Sequence, residues 1–82
     1  MTAKKITIYT TSYCSYCFAA KKFLKSKNVT FEEIDVTGDA DARQKLVQMA
    51  GGRETVPQIF VDGRPIGGYD DLVELYRSGR TL

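Results

Sequence analysis

Apolar and polar residues alternate near the start of the chain. In Lys5-Ile6-Thr7-Ile8-Tyr9-Thr10 the isoleucines fall on alternate positions between polar residues, which predicts a strand with one buried face. Thr11-Ser12-Tyr13 interrupts the pattern as a short loop. From Ser15 to Lys27 the period lengthens. Cys17, Ala20, Phe23 and Leu24 recur at helical spacing, and Asn28 is a helix stop. Val29 to Val36 reads as a second strand, with Val29, Phe31 and Ile34 among β-branched and acidic neighbours. Gly38-Asp39 opens a second helix with Asp39 as N-cap. It runs to about Ala50, turns Leu46, Val47 and Ala50 inward, and stops at Gly51-Gly52. Pro57-Gln58-Ile59-Phe60-Val61 is a third strand, and Asp62-Gly63 is a two-residue hairpin turn. Arg64-Pro65-Ile66 is a short fourth strand whose proline implies a sheet edge. Gly67-Gly68 breaks it, a last helix spans Tyr69 to Ser78 with Tyr69, Leu72, Val73 and Tyr76 on one face, and Gly79 ends it.

The order β-α-β-α-β-β-α predicts an α/β fold. Strands joined through a helix lie parallel with a right-handed crossover, and the hairpin adds two antiparallel strands. The expected result is a four-stranded mixed sheet flanked by helices on both faces. Residues 1–82 are expected to form one domain, without repeats, linkers or low-complexity stretches. A chain this short buries only about 60–65% of its unfolded surface, so a modest stability margin follows.

Charge and composition narrow the partners. A formal net charge of +2 argues for neither nucleic acid nor membrane, and no stretch reaches the roughly 18 apolar residues of a membrane span. The start, Met1 to Lys5, lacks the apolar core of a signal peptide. A reducing, cytoplasmic setting is therefore expected, with the chain acting as a monomer. Lys21, Lys22, Lys25 and Lys27 form either a solvated face that favours a helix C-terminus or a mildly positive surface for an acidic thiol or protein. The sequence contains no histidine. That removes Ser-His and Cys-His catalysis and the commonest metal ligand.

The chain has two cysteines, in Cys14-Ser15-Tyr16-Cys17, where the first strand gives way to the first helix. A thiol at a helix N-terminus meets unpaired N–H groups and the positive end of the helix dipole, and both favour thiolate over thiol. Cys14 is then the candidate nucleophile for disulfide exchange. Cys17, one turn further in and more covered, is the candidate resolving thiol. A structural disulfide across so short a loop constrains the unfolded chain little. A zinc site needs about four ligands. Two inert buried cysteines remain the alternative. CxxC beside a βαβ pattern is a thioredoxin-like redox motif.

Two further segments carry candidate chemistry. Pro57 in Thr55-Val56-Pro57 is either a proline tolerated at a strand's first residue or a cis proline turning the Val56 backbone towards the cysteines. In the second case Val56 can pair with an extended substrate backbone. Gly67-Gly68-Tyr69-Asp70-Asp71 is either a turn with an acidic N-cap or an amino-acid site. In the latter, helix N–H groups hold a carboxylate and Asp71 holds an α-amino group.

YTTSYCSYC, TVPQIFVDG and IGGYDDL together resemble the glutaredoxins over essentially the whole chain. The resemblance implies a thioredoxin-like fold and a glutathione-dependent thiol–disulfide oxidoreductase. Its partners would be glutathione and glutathionylated or disulfide-containing proteins. It implies Cys14 as nucleophile and Cys17 as resolving cysteine. Tyr16 would line a glutathione groove, and Arg53, Thr55 and Val56 would hold the glutathione backbone. Pro57 would be the cis proline, and Gly68, Asp70 and Asp71 would grip the γ-glutamyl end. Two positions depart from the family pattern. The lysine three residues before the nucleophile is Thr11 here, with Lys21 or Arg53 as candidate substitutes for its charge. The common CPYC is CSYC, which restores a backbone N–H and a hydroxyl near the thiolate and loosens the helix start. Some glutaredoxins lacking that proline assemble a glutathione-ligated 2Fe-2S cluster between two monomers. A cluster carrier using Cys14 is therefore the alternative function, and an electron donor to one dedicated partner is a third.

Overall fold

A computed structural model describes residues 5–80. Residues 1–4, on which the reading of the N-terminal start partly rests, and 81–82 lie outside the described residues. The elements are β1 (Ile6–Thr10), α1 (Ser15–Ser26), β2 (Glu32–Asp35), α2 (Ala40–Met49), β3 (Gln58–Val61), β4 (Arg64–Gly67) and α3 (Tyr69–Arg77). The strand order is β2-β1-β3-β4. β1 and β2 run parallel, β3 runs antiparallel to both β1 and β4, and the sheet is mixed as the element order predicts.

Alternation along β1 decides which helix lies on which face. Ile6 and Ile8 point into a cluster with Ala20 and Leu24 of α1, Ile59 of β3 and Leu72 of α3. On the other face Phe60 joins Val36, Leu46 and Ala50, with Tyr9 and Val56 packed against them. So α1 and α3 cover one face and α2 covers the other. Burying these apolar side chains is the main favourable term for so small a chain. Thr10 ends β1 buried, and its hydroxyl donates to Glu33 Oε2 at 2.7 Å while Lys21 Nζ approaches the same oxygen at 2.8 Å. Donation from Lys21, and then from Thr10, holds the Glu33 carboxyl below the usual carboxylate range.

The second strand is shorter than the Val29–Val36 expected from its composition. Asn28 adopts φ 58° and closes α1, and the Val29 N–H donates to Leu24 O at 3.0 Å. Val29 is thereby tied to the helix end and cannot join the ladder. Val29 and Phe31 still pack against the core. Elsewhere the differences are single residues. Lys27, Ala50 and Ser78 are helix C-caps, Pro57 precedes β3, and Gly67 closes β4. Asp62 and Gly63 both have positive φ, as a two-residue hairpin turn of matching twist demands.

Candidate active site

The nucleophile candidate is the capping residue of α1. Cys14 has extended backbone angles (φ −123°, ψ 107°), and its sulfur accepts the Cys17 N–H at 3.1 Å. A sulfur therefore takes the place of the usual capping oxygen. The first turn of α1 contains no acidic residue, so no carboxylate competes for the positive end of the helix dipole. Ser15 is the first residue of the helix that Cys14 caps.

Cys17 sits one turn inside and is 1% exposed, whereas Cys14 is half-buried; both are free thiols. Burial, with the Cys14 side chain as hydrogen-bond neighbour, pushes the Cys17 thiol up to about 12. Exposure and this burial separate the two thiols in reactivity. Iodoacetamide at pH 8 is therefore expected to modify Cys14 in the native protein. Cys17 should react only after denaturation, and tryptic mass spectrometry reads both sites. Equal labelling of both in the native state would contradict the placement.

The 53–57 segment faces Cys14 from the other side of the sheet top. Gly51 and Gly52 end α2 with positive φ, and Arg43 Nη2 reaches forward to Glu54 O at 2.9 Å. Fully buried Gln58 donates from Nε2 to Thr55 O at 2.8 Å and lies 3.3 Å from Thr55 Oγ1. Between these two ties, the Val56–Pro57 bond is cis. The Cys14 thiol is 3.6 Å from the Val56 carbonyl oxygen, which accepts it.

The start of α3 supplies the charged end. Asp71 Oδ2 accepts the Gly68 N–H at 2.9 Å and lies 3.1 Å from Arg53 Nη1. The Gly68 amide, more than the Arg53 guanidinium, holds the Asp71 carboxyl below the usual carboxylate range. Both partners of the ion pair are about half exposed, so separating them costs little, typically about 0–1 kcal/mol. Close approach at this corner requires Gly67, at φ +113°. A Cβ there would fall on the Asp71 carboxylate and within 2.6 Å of Arg53 Nη1.

These pieces enclose one open groove. Tyr16, Arg53, Thr55, Val56, Pro57, Gly68, Asp70 and Asp71 all line it, although they come from three separate stretches of chain. Tyr69 lines it too. Its helical spacing with Leu72 and Tyr76 marked it as a core residue, but its position between Gly68 and Asp70 was the available signal. Its ring centroid is 6.0 Å from that of Tyr16, at an interplanar angle of 39°. Of the two charges that were candidates to replace the missing lysine, Lys21 is held by a strand residue and Arg53 stays in the groove with a separable partner. Lys21 pairs with Glu33 at 2.8 Å, and Arg53 pairs with Asp71. Among the described residues no three His, Cys, Asp or Glu side chains gather to hold a metal ion, and no helix is long and apolar enough to cross a membrane.

A mixed β2-β1-β3-β4 sheet with paired thiols at the first strand-to-helix junction, opposite a cis proline, defines a thioredoxin-like fold carrying a dithiol site. The glutaredoxin family model matches residues 6–66. The chain is 46% identical over 76 residues to glutaredoxin 1 of Rickettsia prowazekii, covering 92% of this chain and 80% of that protein. It is 46% identical over 74 residues to glutaredoxin 3 of Escherichia coli K12, covering 90% and 88%. A crystal structure of a buckwheat glutaredoxin–glutathione complex superposes with a TM-score of 0.83 at 31% identity, covering 94% of this chain and 72% of that one. The chain belongs to the glutaredoxin family, a family of thiol–disulfide oxidoreductases.

Proposed function

We propose that this chain reduces glutathione mixed disulfides, and more slowly protein disulfides, through Cys14, with glutathione as the thiol that regenerates it. The observation that carries this reading is the half-buried Cys14 sulfur, capped by the Cys17 N–H, at the edge of a groove bearing opposite charges at Arg53 and Asp71. Glutathione is a zwitterionic peptide thiol. The bound glutathione of the buckwheat structure supports the same class of ligand here.

In the first step the Cys14 thiolate attacks the glutathionyl sulfur of the mixed disulfide. A Cys14–glutathione disulfide forms, and the substrate thiolate leaves and takes up a proton. A second glutathione thiolate then attacks the glutathionyl sulfur. Glutathione disulfide leaves and the Cys14 thiolate is restored. The capping N–H of Cys17 and the α1 dipole stabilise negative charge on the sulfur as it enters and leaves. Once Cys14 has lost its proton, the Val56 carbonyl no longer receives it and is free to accept a ligand amide. Arg53 suits a glutathione carboxylate. Gly68, Asp70 and Asp71 suit the γ-glutamyl amino and carboxylate groups.

With protein disulfides Cys17 is the resolving thiol. Because Cys17 is buried, that route includes taking a proton from a covered thiol. Work as a single chain in a reducing, cytoplasmic setting belongs to the same reading. The test is turnover of a glutathionylated peptide with glutathione as sole reductant, followed through glutathione reductase. Saturable turnover is expected. Absence of turnover, or equal turnover with cysteine in place of glutathione, would sink the glutathione assignment.

A further inference from the structure

Packing does little to fix the chain between β1 and Cys14. Thr11 is half-buried, Ser12 is exposed, and Tyr13 is 97% exposed. A side chain so exposed makes no apolar contact that would hold the backbone just before the nucleophile. The hold comes instead from the far end of β2. The parallel register sets Thr10 opposite Asp35, and the Val36 N–H continues the ladder by donating to Thr10 O at 2.9 Å. Carried further, the same register brings Thr37 beside Ser12, 25 positions away in sequence. The Ser12 N–H donates to Thr37 Oγ1 at 2.7 Å, and the Thr37 hydroxyl donates to Ser12 Oγ at 3.1 Å. Asp35 closes the set. Its Oδ2 accepts the Ser12 hydroxyl at 3.3 Å, and its Oδ1 accepts the Thr37 N–H at 2.8 Å. The Thr37 side chain, and then its amide, holds the Asp35 carboxyl below the usual carboxylate range, so both oxygens are acceptors at neutral pH. Ser12, Asp35 and Thr37 do not line the groove.

Resting on the Cys14 chemistry proposed above, we infer that Thr37 is a positioning residue for the nucleophile. It grips Ser12 by backbone and side chain, and Tyr13 alone then separates the gripped residue from Cys14. The turn after β2 thereby sets the direction in which the chain enters α1. That direction keeps the Cys14 sulfur 3.1 Å from the Cys17 N–H. When the grip is lost, the sulfur leaves its cap for part of the time. A misplaced reacting atom costs rate, while a groove on other segments still binds. All three residues of the set are exposed, so the effect on global stability is small.

The experiment compares wild type, Thr37→Val and Thr37→Ser. Thr37→Val keeps the shape and removes the hydroxyl; Thr37→Ser keeps the hydroxyl. With a glutathionylated peptide, Thr37→Val is expected to lower kcat about tenfold and to leave KM for glutathione within about twofold. Thr37→Ser should recover most of kcat. The melting temperature should stay within a few degrees of wild type in both. Where Thr37→Val folds poorly, Thr37→Ala carries the same expectation. Amide hydrogen exchange followed by NMR reads the free protein without glutathione. Protection of the Ser12 and Cys17 amides should fall together in Thr37→Val and persist in Thr37→Ser.

An unchanged kcat in Thr37→Val overturns the inference. So does a loss confined to KM, or a Thr37→Ser variant as impaired as Thr37→Val. Faster exchange at Ser12 with full protection kept at Cys17 overturns it as well, since the grip would then end before the nucleophile. If wild type shows no turnover with glutathione, the function reading fails instead, and exchange at Cys17 still decides whether Thr37 holds the cap.

Discussion

Replacing Cys14 by serine is expected to lower glutathione-dependent turnover by about a thousandfold or more, because no other group on the chain replaces a thiolate as nucleophile. Serine caps helices well, so α1 should survive the change and the loss should be chemical rather than structural. Circular dichroism would check that the fold persists. Cys17→Ser separates the two routes. The backbone N–H that reaches the Cys14 sulfur at 3.1 Å is kept in that variant, so reduction of a glutathionylated peptide should continue. Reduction of a protein disulfide without excess glutathione should be lost with the resolving thiol. Full activity in Cys14→Ser would remove Cys14 from the mechanism, whatever the geometry around it.

The second large effect is expected at Gly67. Its φ of +113° is a conformation that side-chain-bearing residues rarely adopt, and a Cβ there would occupy the space of the Asp71 carboxylate. Gly67→Ala adds to a backbone strain of about 1–3 kcal/mol a cost of about 1 kcal/mol for pushing aside the half-exposed Asp71 and Arg53 side chains, so a loss of about 2–4 kcal/mol is expected. For a domain of this length that lowers the melting temperature by roughly 10–30 °C. The site suffers as well. Displacing Asp71 breaks its bond to the Gly68 amide and its pairing with Arg53, and KM for glutathione should rise even where the variant remains folded. Gly63→Ala is the useful control. Gly63 also has positive φ, but a Cβ there meets nothing within 4 Å. It should therefore lose only the strain contribution and leave KM alone. Equal effects of the two substitutions on KM would remove Gly67 from the geometry of the groove.

The period of apolar residues carried most of the fold. Ile6, Ile8, Ala20, Leu24, Leu46 and Leu72 were legible as core from spacing alone, because burial is what those spacings encode. The second strand was less legible. Val29 and Phe31 have the composition of a strand, yet Asn28 turns the chain so that only Glu32–Asp35 pairs. Composition reports that a residue is buried, not whether its backbone is in a ladder. The site followed a similar division. The motif residues converge on one groove because motif recognition already carries tertiary information. The Lys21–Glu33 and Arg53–Asp71 pairings did not show in the sequence, because they join residues distant along the chain whose partners depend on register. Tyr69 was assigned to one face on helical spacing, but at the first position of a helix a side chain can reach both the core and the groove.

The two margins of the sheet have a consequence for how this protein behaves in crowded solution. The β2 margin, Glu32-Glu33-Ile34-Asp35, carries three carboxylates in four residues, and the β4 margin contains Pro65, which has no N–H to offer an incoming strand. Repulsion between like margins and a missing donor on the opposite one both resist strand-to-strand stacking of neighbouring molecules. Margins that resist added strands favour a dispersed protein at concentrations where an open sheet edge would seed fibres.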